Sequence, residues 1–180
     1  MSNPNLPVKL TELRKGRETQ RFNPESGARM VAGCICLAED KDKVLMVLSS
    51  SHLGKWVLPK GGIETDEGED FVVTAVRETW EEAGVEGIVL NKLPVVYDLR
   101  GQKAPSLKPG EEFDPHKYVP KTEFHFYELL VTKISEDWPE KERERRWCTF
   151  SEAQHELLKA KRPELVAALE LSVIVKDSEY

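Results

Sequence analysis

The sequence predicts a single α/β domain, and three observations lead to this fold class. The chain has 180 residues, of which 39% are hydrophobic, so it can bury one substantial core. Residues 27–38 place apolar side chains on both faces of an alternating pattern, which is typical of a central strand. Predicted strands and helices then alternate without an internal repeat or a linker. We expect one domain over residues 28–180, with a polar segment, residues 1–27, packed on or near it.

Each element is predicted from its own pattern. Apolar runs between turn residues indicate strands, which cover residues 27–38, 44–48, 56–59, 88–96, 123–131 and 147–150. The predicted helices are one that ends at Gly84, one over residues 152–161 capped by Ser151, and one from Pro163 to Leu171. Residues 98–121, with four prolines and two glycines, predict a long irregular loop that either forms part of a binding rim or is disordered.

Composition excludes some classes of protein. The formal net charge of -6 argues against broad binding of nucleic acid through its phosphates. No apolar run is long enough to cross a bilayer, and we expect a soluble protein of the cytoplasm or nucleus. The three cysteines, Cys34, Cys36 and Cys148, are odd in number, and two of them alternate within a strand, so we expect buried thiols.

The stretch over residues 60–84 is the most informative part of the chain. Gly61 and Gly62 follow a short apolar strand and lead into a helix with two faces. One face is predicted to be apolar and carries Val72, Val73, Val76, Trp80 and Ala83, and the other carries Glu78, Glu81 and Glu82. Carboxylates this close repel each other unless a cation neutralises them, and Mg²⁺ prefers oxygen ligands. An ordinary surface helix also has an acidic face, so it is the adjacent glycine pair that favours a metal site.

The residues Arg77-Glu78-Thr79-Trp80-Glu81-Glu82-Ala83-Gly84-Val85 resemble the second half of the Nudix box, with Thr79 in place of an apolar residue. The first half departs from the pattern. The spacing to Arg77 selects Glu69 as the first acidic position, whereas the spacing from Gly61 selects Glu67. The loop therefore contains an insertion of one or two residues, and both glutamates stay candidates.

The resemblance implies a Nudix fold, an α/β/α sandwich with a mixed β-sheet and a loop–helix–loop. It also implies hydrolysis of phosphoanhydride bonds with Mg²⁺, or Mn²⁺ in its place. In this family pattern Glu78 and Glu82 bind the metal, Glu81 shares that role or acts as the base, and Gly61 contributes a backbone carbonyl. Arg77 is placed to orient the carboxylates through its forked guanidinium.

Further segments resemble the subgroup that hydrolyses diphosphoinositol polyphosphates and diadenosine polyphosphates, in particular its fungal members. They are Gly27-Ala28-Arg29, the loop Ser49-Ser50-Ser51-His52, residues 56–62, Thr122 to Glu128, Arg145-Arg146-Trp147 and Lys161-Arg162-Pro163. The resemblance implies phosphate clamps at Arg21, Arg29, Lys60, Arg145 and Arg162, with Ser49, Ser50, Ser51, Gly61 and Gly62 beside them. A polyanion needs several cations from separate segments, and arginine suits phosphate oxygens. The implied partner is a small polyphosphorylated molecule, inorganic polyphosphate included, bound by a monomer.

Two alternatives remain at this stage. The chain could be a Nudix pyrophosphatase for another substrate, such as a nucleotide sugar, a damaged nucleoside triphosphate or capped RNA. It could also be a catalytically silent Nudix-like module that binds nucleotides or a protein partner. The presence of all three acids, Glu78, Glu81 and Glu82, argues against the silent module.

Overall fold

The structure is a computed structural model that describes residues 19–100, 109–110 and 120–177. Within these ranges lie eight strands and three helices. The strands are β1 (Arg29–Leu37), β2 (Val44–Leu48), β3 (Trp56–Val57), β4 (Lys60–Gly62), β5 (Val85–Lys92), β6 (Val96–Asp98), β7 (Thr122–Ile134) and β8 (Arg145–Cys148). The helices are α1 (Val72–Ala83), α2 (Phe150–Lys159) and α3 (Pro163–Leu171). Most of the loop predicted over residues 98–121, and most of the segment 1–27, lie outside the described residues.

The strands form one mixed sheet, as predicted. Its order is β3-β2-β1-β7-β5, with β4 paired to β1, β6 to β7 and β8 to β2. The central pair, β1 and β7, is parallel from Arg29 opposite Thr122 to Leu37 opposite Leu130. The other named strand pairs are antiparallel. Because β1 and β7 are parallel, their first residues lie at the same end of the sheet, and this end borders the candidate active site.

Helices cover both faces of the sheet. The Cys34 thiol of β1 donates to the backbone oxygen of Ala75, which places α1 on that face. On the opposite face the Glu128 carboxylate of β7 accepts a hydrogen bond from the Val173 backbone, just after α3. Helix α2 packs against α3, so the layers are helix, sheet and helix pair. The α/β/α arrangement expected from the resemblance is therefore present.

The predicted apolar face of α1 is not its most buried face, although Ala83 on that face is buried. Val72, Val73, Val76 and Trp80 are only half-buried, whereas Thr74, Ala75 and Thr79 are fully buried. Small side chains let the helix lie close to β1 and β4, and this approach brings the acidic face against the glycines of β4. The acidic residues Glu81 and Glu82 are thus buried instead of solvated.

Several element limits also differ from the prediction. The strand predicted over residues 88–96 is divided into β5 and β6 around Pro94, which has no backbone N–H for a ladder. Helix α2 is capped by Thr149 and not by Ser151: Thr149 Oγ1 accepts from the Glu152 backbone and the Glu152 carboxylate accepts in return. Ser151 instead donates to the carboxylate of Asp177.

The cysteine prediction is confirmed, since Cys34, Cys36 and Cys148 are buried and free. Burial raises the pKa of the Cys34 thiol to about 12, which keeps it protonated. Among the helices described, none is long and apolar enough to cross a membrane.

Candidate active site

The corner between β4 and α1 brings Gly61 against Glu78. A Cβ atom on Gly61 would overlap the Glu78 carboxyl group, so only glycine allows this approach. Glu78 is one turn of α1 before Glu82, and both side chains border the same cavity. The loop–helix arrangement that the sequence predicted therefore places a glycine backbone beside two carboxylates.

Arg77 organises the carboxylates around this corner. Its Nη1 donates to Glu78 Oε1 at 2.8 Å and to Glu81 Oε2 at 3.1 Å. Its Nε and Nη2 donate to the Glu67 carboxylate at 2.8 and 2.9 Å, and Nη2 also reaches the Gly62 carbonyl oxygen at 3.3 Å. These bonds raise the pKa of Arg77 above its ordinary value, although burial alone would lower it. The orienting role expected for Arg77 fits this geometry.

The structure resolves the choice between Glu67 and Glu69. The Glu67 side chain is only 6% exposed and accepts from Arg77, from Thr74 Oγ1 at 2.9 Å and from the Glu64 backbone at 3.0 Å. Burial alone would raise the pKa of Glu67, but the bonds from Arg77 outweigh it and lower the pKa. The Glu69 side chain is 88% exposed and pairs with Arg21. Glu67 therefore occupies the first acidic position, and the insertion lies between Glu67 and Arg77.

Glu78 and Glu82 are crowded acids. Burial, reinforced by the charge of Glu82, raises the pKa of Glu78 to about 8. Burial likewise raises the pKa of Glu82 to about 7, although Arg143 and Lys60 oppose it. Glu82 Oε2 accepts from the Lys60 backbone at 2.9 Å, and its Oε1 lies 3.5 Å from Arg143 Nη2. A cation bound in the cavity beside these two side chains would stabilise their ionised forms.

Glu81 is placed differently from its two neighbours. It does not line the cavity, because its Oε2 turns toward Arg77. Its Oε1 is buried and has no hydrogen-bond partner within residues 19–100, 109–110 and 120–177. Burial raises the pKa of Glu81. A buried carboxylate oxygen without a donor is costly, and a nearby cation would offset that cost.

The carboxylates at this corner match the needs of a magnesium ion that keeps part of its water shell. In the described part of the chain, no three acidic, histidine or cysteine side chains converge closely enough to enclose one ion. Mg²⁺ does not require such an enclosure, since it typically takes one or two carboxylates and completes its shell with water and substrate phosphates. Glu78 and Glu82, with the unpartnered Glu81 oxygen behind them, fit this mode of binding.

A cavity of about 720 Å³ extends from the carboxylates of Glu78 and Glu82 across the end of the sheet where β1 and β7 begin. Six positively charged side chains lie along its wall: Arg29, Lys60, Arg100, Lys121, Arg143 and Arg162. Asp98 also lines this wall, and its carboxylate pairs with Arg100 at 2.8 Å. Ser49, Ser50 and Ser51 form part of the rim. A second cavity of about 310 Å³ adjoins it and adds His52, Lys55 and Lys161. The cavity thus has an acidic end and a basic wall, a distribution suited to a metal-bound polyanion.

Most of the predicted binding residues meet at this cavity, but two do not. Arg29, Lys60, Gly61, Gly62, Arg162 and the three serines line it. Arg21 instead pairs with Glu69 and lies over the Phe71 ring, so it anchors the inserted loop. Arg145 donates to the backbone oxygens of Ala83 and Ser135 at 3.0 and 2.9 Å and is not among the lining residues. The structure therefore does not bring the predicted phosphate clamps Arg21 and Arg145 to the wall of this cavity.

Sequence reasoning missed several residues of the wall, notably Arg100, Lys121 and Arg143. Arg143 precedes β8, whose pairing with β2 brings it to Ser50 Oγ, at 2.9 Å from its Nη2. Lys121 precedes Thr122, which lies opposite Arg29 in the parallel pair. Both placements depend on which strands pair, and the positions of basic residues in the sequence do not show that pairing. Two phenyl rings, Phe22 and Phe124, also line the cavity, and Phe22 is 47% exposed.

One buried histidine, His125 of β7, lies outside the cavity. His125 is buried on the α1 face of β7, with its Nε2 3.5 Å from Glu123 Oε1 and its ring edge against Phe71. The structure does not bring it to the carboxylates of α1.

Comparisons with known proteins agree with this geometry. The NUDIX domain family matches residues 27–169. Human diphosphoinositol polyphosphate phosphohydrolase 3-alpha is 33% identical over 143 residues, which cover 77% of this chain and 74% of that protein. The mitochondrial Nudix hydrolase 16 of Arabidopsis thaliana is 38% identical over 153 residues, which cover 78% and 77% of the two chains. A Nudix hydrolase of Nitrosomonas europaea shares the fold, with a TM-score of 0.58 at 14% identity over 79% of this chain and 86% of that one. The chain belongs to the Nudix hydrolase family.

Proposed function

We propose that this Nudix hydrolase cleaves phosphoanhydride bonds in diphosphoinositol polyphosphates, and in diadenosine polyphosphates as a second substrate class. The observation that carries the proposal is the cavity with two buried carboxylates at one end and six cationic side chains along its wall. Relatives named diphosphoinositol polyphosphate phosphohydrolase, at about a third identity, support the same substrate class.

A divalent cation, Mg²⁺ or Mn²⁺, would be held by Glu78 and Glu82 beside the backbone of Gly61. When bound, such a cation neutralises phosphate charge and lowers the pKa of a coordinated water. The protein supplies the positioning: Arg77 fixes the Glu78 and Glu81 carboxylates, and the Lys60 backbone fixes Glu82. We assign Glu81 to the same cation cluster, as a further ligand or as the base, because its Oε1 is buried without a donor from the described residues.

The basic wall would bind the phosphates that are not cleaved. Arg29 and Lys60 come from β1 and β4, and Arg162 is the N-cap residue of α3, so the three approach a ligand from separate directions. An inositol ring carries phosphates on all sides and needs this dispersed arrangement of cations. Lys60 is half-buried, and desolvation at the cavity lowers its pKa to about 8, even though Glu82 opposes the shift. A substrate phosphate beside Lys60 would favour the protonated form again.

The diadenosine substrates are favoured by a separate observation. Phe22 is half-exposed at the cavity and offers a ring on which a nucleobase could stack. An inositol polyphosphate has no aromatic ring, so Phe22 would contribute little to its binding.

A panel of substrates tests the proposal. Diphosphoinositol pentakisphosphate, diadenosine hexaphosphate, ADP-ribose and capped RNA would be compared by kcat/KM with Mg²⁺ present, and phosphate products would be identified by chromatography. We expect the inositol substrate to lead, the diadenosine substrate to follow, and ADP-ribose and capped RNA to be poor. Preference for ADP-ribose or capped RNA would favour a different Nudix pyrophosphatase. No turnover of any substrate would favour a silent binding module.

A further inference from the structure

The C-terminal end of α1 is held by a single segment, residues 135–145, which we call the capping segment. The last carbonyl groups of a helix have no partner within the helix. Here the Glu81 oxygen accepts from the Glu140 backbone at 3.0 Å, and the Gly84 oxygen accepts from the Ser135 backbone at 2.9 Å. The two carbonyl oxygens between them accept hydrogen bonds from side chains of the same segment. Four consecutive carbonyl oxygens at this helix end therefore have hydrogen-bond partners.

Those two side chains are Trp138 and Arg145. Trp138 Nε1 donates to the Glu82 oxygen at 3.2 Å, and Arg145 Nη1 donates to the Ala83 oxygen at 3.0 Å. The Arg145 guanidinium lies 3.9 Å from the centre of the Trp138 ring, which is a close cation–π contact. The ring also packs on Gly84, where a Cβ atom would overlap it. Neither Trp138 nor Arg145 borders the cavity.

The capping segment also reaches the Glu82 side chain. Arg143 Nη2 lies 3.5 Å from Glu82 Oε1, 3.0 Å from Glu140 Oε1 and 2.9 Å from Ser50 Oγ. The backbone and the carboxylate of Glu82 are therefore both fixed by one segment, which is tied at the same time to the serine rim. Glu78, one turn earlier, is fixed by Arg77 and Gly61 instead.

We infer that Trp138 and Arg145 are positioning residues that hold the last turn of α1, so that Glu82 meets the cation in the geometry the reaction needs. This inference rests on the proposed function. It assigns Arg145 a role through the helix backbone and not through contact with the substrate. Loss of either side chain should loosen the cation site at Glu82 and reduce turnover, while the basic wall that binds the substrate stays intact.

The variant Trp138→Phe gives the sharpest test, because it keeps an aromatic ring at this position and removes the indole N–H that donates to the Glu82 oxygen, together with the rest of the pyrrole ring. Binding of Mn²⁺ in the absence of substrate is measured by the loss of the electron paramagnetic resonance signal of the free ion. This measurement reports on the cation site without turnover. We expect the Kd for Mn²⁺ to rise by about tenfold, as for other groups that orient metal ligands. We expect kcat to fall by about as much, with KM for the inositol substrate changed less than about twofold.

Controls separate this role from a merely structural one. Ile174→Val removes a buried methyl group on the other side of the sheet and serves as the reference for lost stability. It should lower the melting temperature without changing Mn²⁺ affinity. Arg145→Lys should retain part of the affinity that Arg145→Ala loses, since lysine keeps one donor. These arginine variants also preserve the test if Trp138→Phe does not fold.

The outcomes distinguish this inference from the proposed function. Wild-type protein that binds no Mn²⁺ and cleaves none of the polyphosphates would overturn the proposed function itself. Wild-type binding with unchanged Mn²⁺ affinity in Trp138→Phe and Arg145→Ala would overturn the positioning role alone. A rise in KM for the inositol substrate in Arg145→Ala, with Mn²⁺ affinity unchanged, would restore Arg145 as a substrate clamp.

Discussion

The carboxylate of Glu78 lies where a side chain on Gly61 would have to stand. This relationship joins the two halves of the site, because Gly61 belongs to β4 and Glu78 to α1. A methyl group at position 61 would push the acid away from the cavity and part the helix from the strand.

We predict that Gly61→Ala lowers kcat by about 100-fold, since a shift of about 1 Å at a reacting group costs this much. Overpacking should also destabilise the fold by about 1 to 3 kcal/mol. Kinetics with saturating Mg²⁺ and urea denaturation measure the two effects. The double variant Gly61→Ala/Glu78→Asp, with a shorter acid, should recover part of the lost stability. Strictly additive losses would show that the two residues do not compete for the same space.

Glu67 and Glu69 provide a matched pair of substitutions. Glu67→Gln breaks a buried ion pair with Arg77 and should cost about 3 kcal/mol of the free energy of unfolding. Glu69→Gln removes an exposed charge and should change it by less than about 0.5 kcal/mol. Urea denaturation of both variants at neutral pH measures the difference. Equal losses would mean that the first acidic position has been assigned to the wrong glutamate.

The stability of the metal-free protein should depend on pH through Glu78 and Glu82. Their pKa values are raised to about 8 and about 7, so the folded state holds protons that the unfolded state has released. Stability should therefore fall as pH rises from the unfolded carboxyl pKa, near 4.5, toward 8, by at most about 1.4 kcal/mol per pH unit for each proton. Lys60, whose pKa is lowered to about 8, acts in the opposite direction only above that pH.

Denaturation in the presence of a chelator, at several values between about pH 5 and about pH 8, measures this slope. The variant Glu78→Gln/Glu82→Gln should flatten it, because amides do not titrate. Added Mg²⁺ should raise the stability of wild-type protein most at the upper end of this range. An identical slope in the double variant would assign the effect to other groups.

Phe22 should distinguish the two substrate classes. We expect Phe22→Ala to lower kcat/KM for diadenosine hexaphosphate by about tenfold, as for the loss of one stacked base. The value for diphosphoinositol pentakisphosphate should stay within about twofold, since that substrate has no base to stack. Leu53→Ala is the control, because Leu53 is fully exposed and borders neither cavity. Equal losses for both substrates would indicate that Phe22 shapes the cavity and does not stack on a nucleobase.

The sequence predicted those features that depend on local pattern. Strand β2 and helix α3 have the predicted limits, because an apolar run between a charged turn and a serine loop defines one and Pro163 at the first helical position defines the other. Helical spacing predicted that the three acids share one face, and the resemblance to the Nudix box implied their role beside the glycine pair. All of these signals lie within short segments of the chain.

Features that depend on tertiary packing were predicted less well. Periodicity predicted an apolar face and an acidic face for α1, but the close approach of Gly61 to Glu78 turns the acidic face inward. Arg145 and Arg143 are two residues apart in a charged run, yet one holds the helix end and the other borders the cavity. Their different positions follow from the pairing of β8 with β2, and no local pattern in the sequence specifies that pairing.

The central claim is that Glu82 holds a cation against linked phosphates, and Glu82→Gln tests it most directly. Turnover of diphosphoinositol pentakisphosphate would be measured across a Mg²⁺ titration, with circular dichroism to confirm that the variant is folded. We expect a folded protein whose kcat is reduced by at least about 100-fold at every Mg²⁺ concentration. Near-normal turnover by the folded variant at saturating Mg²⁺ would contradict the account.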